Sequence, residues 1–248
     1  MLRSLYIGTT GMITQRNKMD TITNNIVNVE TVGYKKDQMV SRSFGDMLLN
    51  RLHDGQTEEV GSLNNGTHID VVQVDWTQGP MQNTGESTDV CIVGDGFFTV
   101  MTPDGVRYTR SGDFNVDVNG DLVTQEGYYV IGTNGGRISP GTSDIEINGT
   151  GVVSVNGQQV GALQVVQFQN NDNLRKMGDN TYVPYDNEQP AAVAAPSVKQ
   201  GYLEGSNVDI GREVADMLMT NRVYESNQRI VKMVDQSLEL TVNEIGKF

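Results

Sequence analysis

The amino-acid sequence predicts an α+β fold in which long N- and C-terminal α-helices lie on either side of a β-rich middle domain. Both ends of the chain carry apolar residues at seven-residue intervals, the spacing of a coiled-coil seam. The middle is rich in Val, Ile, Thr, Tyr and Phe and is divided by short turns of Gly and Asn. The two helices are therefore expected to form one discontinuous, coiled-coil-like domain.

The first thirty residues are predicted to form a helix with a narrow apolar face. Two sets of apolar residues keep the seven-residue spacing: Leu5, Met12, Met19 and Ile26, and Ile22 with Val29. Polar side chains fill the other positions. The helix is expected to end near Thr31, because Gly33 just beyond it can adopt a left-handed conformation.

A second and longer helix is predicted for the last forty residues. Its unbroken seven-residue series is Ile210, Met217, Tyr224, Val231, Leu238 and Ile245. The companion positions, four residues further along, are half polar: Val214, Asn221, Gln228, Asp235 and Val242. Asp209 or Ser206 can cap the first turn, since each side-chain oxygen can accept from free N–H groups. The two helices could pack on each other, parallel or antiparallel, but the polar companions favour seams shared with other chains.

The middle of the chain, from about residue 68 to 200, is predicted to form a β sandwich or a barrel-like stack of sheets. Four Asn-Gly pairs are signals for two-residue hairpins because both residues tolerate positive φ. These pairs are Asn119-Gly120, Asn134-Gly135, Asn148-Gly149 and Asn156-Gly157.

A connector is expected between the first helix and the β-rich part. Residues 44–49 are predicted to form a short helix, and residues 54–67 to be flexible because they contain few apolar side chains. The predicted organisation is then residues 1–35 as N-terminal helix, 36–67 as connector, 68–200 as β-rich domain and 201–248 as C-terminal helix.

The composition excludes several classes of protein. The chain has 18 Lys plus Arg against 31 Asp plus Glu, a net charge of −13, which disfavours nucleic-acid binding. Its one cysteine, Cys91, cannot form an internal disulfide and is expected to be a small buried hydrophobe. No apolar run has the length of a membrane span, and the first residues do not have the pattern of a cleaved secretory signal.

Candidate metal ligands are few. His53 and His68 lie in or beside the connector, with no cysteine at ligand spacing. Residues 113–117 imitate the start of a calcium loop, but its sixth position, which needs glycine, is Val118 and its twelfth is Thr124. A hairpin explains these polar residues better. We therefore expect no metal site.

Other enzyme-like signals are equally weak. Gly94-Asp95-Gly96 is a lone G-x-G that precedes a strand-like rather than a helical segment, which argues against nucleotide binding. No serine elbow and no cysteine–histidine pair suggests a nucleophile. The sequence predicts no catalytic residue, no cofactor and no small-molecule substrate.

Three ordered segments resemble signatures of the flagellar rod and hook axial proteins. The first, at residues 23–35, has Val27 where the family usually has Ala, and carries Asn24, Asn25, Asn28, Gly33 and Tyr34. The second, at residues 93–127, carries Gly94, Gly96, Phe97, Phe98, Tyr108, Arg110 and Gly112. The third, at residues 200–208, leads into the last helix and carries Leu203, Glu204, Asn207 and Val208.

This resemblance implies a non-enzymatic structural subunit of the bacterial flagellar basal-body rod. Its terminal helices would line the axial tube that transmits torque from motor to hook, with the β domain outside. Its partners would be copies of itself, other rod and hook-basal-body axial proteins, and the flagellar type III export apparatus, which would carry it across the inner membrane without a cleaved signal. The chain length suits a proximal or distal rod position, with a slight preference for proximal.

Two other readings remain from the residues alone. One is a secreted, acidic, β-rich polysaccharide hydrolase, which would need a cleft with a carboxylate of raised pKa. The other is a carbohydrate-binding or adhesin-like module on a coiled-coil stalk, which would assemble into a discrete trimer rather than a staggered axial array.

Overall fold

The computed structural model describes residues 2–45, 47–53, 56–185 and 188–245. The chain forms two compact units. The helical unit comprises Met1–Val27, Asp37–Gln73 and Asp209–Phe248, and the β-rich unit comprises Asn28–Lys36 and Val74–Val208. The predicted α+β class, with a helix at each end and a β-rich middle, is confirmed.

Two long helices dominate the helical unit. Helix α1 spans Leu2–Val27, and helix α2 spans Ile210–Leu240 and continues as a π-helical turn, Thr241–Ile245. Of the two expected caps, Asp209 is the one used: its Oδ1 accepts from the N–H groups of Gly211 at 2.9 Å and Arg212 at 3.3 Å. This carboxylate satisfies N–H groups that have no partner within the helix.

Helix α1 ends earlier than the sequence predicted, at Val27 instead of near Thr31. A turn follows in which the Thr31 N–H donates to the Asn28 carbonyl at 3.2 Å, and the Thr31 hydroxyl contacts Asn28 Oδ1 at 3.2 Å. The side chain of Asn28 thus favours a turn where apolar spacing alone would continue the helix. Gly33 has the predicted left-handed conformation, with φ +67°.

The described residues of the helical unit also form four strands: β1 (Asp37–Ser43), β2 (Met47–His53), β3 (Gln56–Leu63) and β4 (Thr67–Val74), of which only Val74 belongs to the β-rich unit. Strand β1 pairs with β4, and β2 pairs antiparallel with β3. The predicted short helix at residues 44–49 is wrong, and so is the predicted lack of structure for Gln56–Leu63. His53 pairs with Gln56, and residues 54–55 lie outside the described residues; in the sequence they are Asp-Gly, a hairpin signal that the prediction did not use.

The described residues of the β-rich unit form sixteen short strands, β5 to β20, in antiparallel pairings. In chain order they are Met81–Asn83, Val90–Ile92, Phe97–Thr102, Gly105–Thr109, Phe114–Val116, Leu122–Thr124, Tyr129–Val130, Glu146–Ile147, Val152–Val155, Gln158–Ala162, Val165–Gln167, Leu174–Lys176, Thr181–Pro184, Ala191–Ala192, Val198–Gln200 and Tyr202–Glu204. A 3₁₀ turn, Asn171–Asn173, precedes β16. The largest sheet has the order β16-β17-β8-β7-β11-β10-β9; β15 also pairs with β7, and β18 pairs with β15.

All four Asn-Gly pairs lie in turns, but only Asn156-Gly157 forms the predicted two-residue hairpin. There Val155 pairs with Gln158, and both intervening residues have positive φ. At Asn119-Gly120 the loop is longer, because the N–H of Gly120 donates to the Asp117 carbonyl and Leu122 pairs with Val116.

Two buried clusters form the core of the β-rich unit, on opposite faces of β7. The larger cluster contains Phe98, Val100, Phe114, Leu122 and Val153, among others. The smaller cluster is aromatic, with Phe97, Tyr108, Phe168 and Tyr182. Since successive residues of a strand point to opposite faces, Phe97 and Phe98 each anchor a different cluster. Across the described helices, none is both long and apolar enough to cross a membrane.

Candidate functional site

Helices α1 and α2 pack against each other as an antiparallel pair. Gly8 lies opposite Val231, and Gly11 lies opposite Asn227. A Cβ atom on Gly8 would approach Val231 Cγ2 to 2.8 Å, and one on Gly11 would approach Asn227 Nδ2 to 2.9 Å. The two glycines therefore allow a close approach that larger residues would prevent. Of the two arrangements left open by the sequence, this chain adopts the antiparallel one.

The predicted seven-residue series of α2 lies on the side that faces α1. Met217, Tyr224, Val231 and Leu238 are all half-buried. Ile210, at the first position of the helix, is exposed, and the side chain of Ile245 lies outside the described residues. On α1, Ile22 is buried and the other predicted positions are half-buried: Leu5, Met12, Met19 and Ile26. Val29, also half-buried, falls in the β-rich unit.

The companion row on α2 is not the one that the sequence predicted. The proposed companions are all exposed: Val214, Asn221, Gln228, Asp235 and Val242. The buried and half-buried companions lie one residue earlier: Glu213, Thr220, Asn227, Val234 and Thr241. The spacing from the main series is thus three residues and then four. The predicted row is wrong, because both candidate rows are largely polar and hydrophobicity does not distinguish them.

A second apolar row on α2 is exposed. Its members are Met219, Val223, Ile230, Met233 and Leu240, which are 40–68% exposed. Ser226 and Ser237 occupy the intervening positions, so the row keeps alternating steps of four and three residues. It lies roughly a third of a turn round the helix from the half-buried row. This row, called here the outer α2 row, was not identified from the sequence, although its spacing was there to be read.

The first motif holds the end of α1 to β1 by one amide side chain. Asn25 is 1% exposed; its Nδ2 donates to the Asp37 carbonyl at 2.9 Å and its Oδ1 accepts from the Asp37 N–H at 2.9 Å. Nδ2 also lies 3.4 Å from Oε2 of Glu213, a buried residue of α2. Asn24 is exposed and Asn28 is half-buried in the turn after the helix.

The second motif is part of the core of the β-rich unit. Phe97 packs against Trp76 with ring centroids 5.4 Å apart, and Phe98 packs against Phe114 at 5.1 Å. Tyr108 packs on Phe168 at 5.0 Å. The motif glycines Gly94 and Gly96 lie in the turn before β7 and both have positive φ: +91° and +142°. The aromatic residues of this motif thus lie in the core, and its first two glycines allow the turn before β7.

Gly112 and Gly33 are sites of close backbone approach. A Cβ on Gly112 would lie 1.6 Å from the carbonyl oxygen of Val90. A Cβ on Gly33 would lie 2.6 Å from the carbonyl carbon of Arg110, which brings residues of the first and second motifs into contact. Tyr34, beside Gly33, is buried and has the Lys176 ammonium 4.1 Å above its ring.

The third motif meets the first in a buried charge cluster. Lys35 Nζ lies 2.5 Å from Glu204 Oε1, and both side chains are 1% exposed. Arg110 Nη1 lies 3.5 Å from Glu204 Oε2, and the Arg110 guanidinium stacks over the Phe97 ring at 5.4 Å. Burial lowers the pKa of Lys35, and the adjacent Glu204 carboxylate opposes that shift. Leu203 is half-buried, Asn207 is half-buried and Val208 is buried.

Models of flagellar families match three parts of this chain. The model described as flagella basal body rod protein matches residues 5–35, and the FlgE/F/G D1 domain of flagellar hook protein matches residues 91–155. The C-terminal model of flagellar basal body rod FlgEFG protein matches residues 199–244. These matches contain the three segments described above.

Whole-length relatives show the same relationship. The flagellar basal-body rod protein FlgG of Bacillus subtilis is 36% identical, over 98% of this chain and 99% of the relative. The chain belongs to the flagellar basal-body rod protein family. The rod protein FlgF of Caulobacter vibrioides is 34% identical over 100% of this chain and 99% of its own length. The hook-basal body complex protein FlhO of Bacillus subtilis is 32% identical over the full length of both chains.

The residues of this rod protein that the sequence analysis considered as metal ligands include His53, His68 and Asp113. His68 stacks on Phe44 with ring centroids 4.8 Å apart, while the side chain of His53 lies outside the described residues. Burial, together with Asp89 and Glu126, raises the pKa of Asp113, whose Oδ2 accepts from Gln125 at 2.5 Å. Within the described part of the chain, no group of three or more His, Cys, Asp or Glu could hold a metal ion.

Cys91 of the rod protein is expected to resist alkylation in the folded state. Burial, and secondarily the nearby Glu204 carboxylate, raises the pKa of its thiol to about 11, and the residue is 1% exposed. At pH 8 only about one thiol in a thousand would be ionised, compared with roughly a quarter in the unfolded chain. Iodoacetamide labelling followed by mass spectrometry should be at least about 100-fold slower without urea than with it. Equal rates would show that the thiol is accessible in the native state.

Proposed function

We propose that this chain is a structural subunit of the flagellar rod that self-assembles through its terminal helices into the axial tube between motor and hook. The observation that carries this proposal is the outer α2 row. Each of its five apolar side chains is at least 40% exposed, although α1 already covers another face of the same helix. A soluble protein rarely leaves so long an apolar row uncovered unless a partner binds there.

The geometry of the row favours another helix as its partner. Helix α2 has 31 residues, so it is about 46 Å long. The alternating steps of four and three residues match the way one helix receives the side chains of another. Helix α1 also exposes apolar residues at multiples of seven, Tyr6, Ile13 and Val27. An axial, discontinuous coiled-coil-like domain would form when the outer rows of neighbouring copies meet.

The arrangement supports a heterologous contact between copies. The outer α2 row and the outer α1 residues Tyr6, Ile13 and Val27 are different surfaces, so one copy can offer the first where the next offers the second. A head-to-tail contact whose rotation does not close produces a helical array, which is the geometry of a tube. A discrete trimer on a stalk does not require two such surfaces, and neither the adhesin nor the hydrolase alternative has support from the relatives.

The remaining parts of the proposal concern partners and location. At each end of the stretch of rod that copies of this protein form, other axial proteins of the rod and hook-basal body would contact the same helices. The subunit would be exported through the flagellar type III apparatus without a cleaved signal and would catalyse no reaction. Division into an axial domain and an outer β domain, and the proximal or distal position, stay predictions.

The experiment is deletion of the gene in its own organism, followed by electron microscopy of extracted basal bodies. We expect missing or truncated rods without hooks and non-motile cells. The intact gene should restore rods, whereas a gene lacking residues 210–248 should not, because it lacks α2. Normal flagella and normal swimming in the deletion strain would contradict the proposal.

A control separates assembly from folding. The β-rich unit ends at Val208, so the shortened chain retains all of it. Near-ultraviolet circular dichroism of the purified shortened chain should therefore keep the signal of the buried aromatic cluster. If that signal is lost, the failure to complement reports unfolding and the outer-row variants described in the Discussion become the deciding test.

A further inference from the structure

Three segments of the β-rich unit adjoin the places where the chain passes between the two units. They are residues 33–36, 75–80 and 204–208, and the chain leaves or enters the unit after Lys36, before Val74 and after Val208. Two of these segments belong to the first and third motifs of the sequence. Rod assembly through the outer rows gives no role to the motif residues in these segments.

Glu204 lies at the centre of the contacts between these segments. Its Oε1 accepts from Lys35 Nζ at 2.5 Å and from the Gly79 N–H at 3.0 Å, so one carboxylate oxygen contacts two of the segments. Its backbone carbonyl accepts from the Gly33 N–H at 2.7 Å. Lys35 Nζ also donates to the Thr77 carbonyl at 2.7 Å. The side chains of Lys35 and Glu204 thus join all three segments in one buried network.

Asn207 provides a second connection among the same segments. Its Oδ1 accepts from the Lys36 N–H at 2.8 Å, and its Nδ2 donates to the carbonyls of Asp75 at 2.8 Å and Thr77 at 3.2 Å. The Asp75 N–H in turn donates to the Lys36 carbonyl at 2.9 Å. Each of the three segments is therefore bonded to both of the others.

Because the network contains buried charges, opening only part of it costs free energy. Lys35 and Arg110 are both buried, and Glu204 is the one acidic residue within ion-pair distance of either among the described side chains. Removing one member of a buried ion pair leaves its partner charged without compensation. Loss of Glu204 would leave two such cations, whereas loss of Lys35 would leave the Arg110–Glu204 pair intact.

We propose that Lys35, Glu204 and Asn207 form a lock that holds the three crossing segments together as one rigid joint. The joint fixes the segment that follows α1 to the segment that precedes α2, inside the β-rich unit. Force on either terminal helix then reaches the unit through a single connected network instead of through independent flexible strands. The proposed transmission of force rests on the proposed rod function, whereas the existence of the lock does not.

The lock is tested by hydrogen exchange of the full-length chain under native conditions. Lys35→Met is expected to accelerate exchange about 100-fold in all three segments together, because opening one segment frees the others. Lys36→Met is the neighbouring control: its ammonium is 4.0 Å from Asp75 on a partly exposed surface, and exchange should change less than about fivefold. Val153→Ala, which leaves a cavity in the core, controls for general destabilisation.

Two results would overturn the lock. One is faster exchange confined to residues 33–36 in Lys35→Met. The other is a pattern of exchange in the three segments that is the same as in Val153→Ala. Glu204→Gln should accelerate exchange more than Lys35→Met does, since it leaves two buried cations, Lys35 and Arg110, without an anionic partner. If both ion-pair variants fail to fold, Asn207→Ala, which keeps the ion pairs, should still accelerate all three segments together; no change would contradict the lock.

The proposed transmission of force needs a separate readout in cells. Strains carrying Lys35→Met are expected to build rods but to lose swimming in viscous medium, where torque is greatest, and to shed broken rods. If exchange shows the lock and viscous swimming is normal, the joint does not carry load while the rod function stands. If deletion of the whole gene leaves flagella intact, the rod function itself fails and the exchange result still holds.

Discussion

Replacing Gly112 by alanine is expected to prevent the β-rich unit from folding. The new Cβ would lie 1.6 Å from the Val90 carbonyl oxygen and 2.8 Å from the Val90 carbonyl carbon. The chain cannot relieve this clash by a side-chain movement, because both atoms belong to the backbone. Moving that backbone would break the 3.0 Å hydrogen bond from the Val90 N–H to the Gly112 carbonyl and displace β6 from the core. The free energy of unfolding is expected to fall by more than about 4 kcal/mol.

The measurement is thermal unfolding followed by near-ultraviolet circular dichroism, with soluble yield as a second readout. Gly149→Ala is the matched control, because a Cβ there meets no atom within 4 Å. It should melt within about 3 °C of the parent chain, a change of roughly 1 kcal/mol. A Gly112→Ala protein that melts as the parent does would show that the local backbone has room that the structure does not provide.

Aspartate at both Ile230 and Met233 is expected to abolish rod assembly while leaving the isolated subunit folded. These residues are 41% and 57% exposed, so two carboxylates there stay in water in the monomer. In a helix-to-helix contact the same carboxylates would be buried without partners, at a cost of several kcal/mol. Cells with this variant should be non-motile and should lack hooks in electron micrographs.

Met177→Asp serves as the control for the outer α2 row. Met177 belongs to the β-rich unit and is 52% exposed, so this change introduces a carboxylate at a similar exposure on a residue outside the helical unit. It should assemble normally. Circular dichroism of both purified proteins should match the parent chain. If the strain with the double variant is motile, the outer α2 row is not the assembly surface. That conclusion does not depend on whether the rod function is correct.

Periodicity predicted the helices well because it reflects a physical requirement of a helix face. The series Met217, Tyr224, Val231 and Leu238 is half-buried, as a row facing α1 must be. The predicted companion row was wrong because the buried or half-buried Thr220 and Asn227 are polar, as are the exposed Asn221 and Gln228. Hydrophobicity cannot choose between two polar rows. The choice depends on Gly8 and Gly11 of the other helix, which determine how closely the helices approach.

The prediction for the segment that contains β2 and β3 was wrong for a different reason. Residues 44–49 contain apolar side chains that suit a helix or a strand, and a segment this short gives periodicity little to distinguish. The Asp-Gly pair at residues 54–55 was the local signal that should have decided the question. Asp-Gly, like Asn-Gly, tolerates positive φ at both positions and so predicts a two-residue hairpin.

The charge cluster was beyond the reach of sequence reasoning. Lys35 and Glu204 were each visible as parts of motifs, but they are 169 residues apart and no local rule pairs them. A lone lysine or glutamate is normally assigned to the solvent-exposed surface. Only the topology of the β-rich unit brings these two side chains to the same buried point.

The separation of Lys35 and Glu204 also determines when the protein can finish folding. A ribosome makes the chain from its N-terminus, so Lys35 emerges early and must wait for a partner 169 residues downstream. Contacts between distant residues form late because closing so large a loop costs chain entropy. Until then a basic side chain destined for the interior stays hydrated, and the strands around it remain open. A partly synthesised chain that stops before Glu204 therefore lacks the carboxylate that pairs with Lys35 in the finished protein.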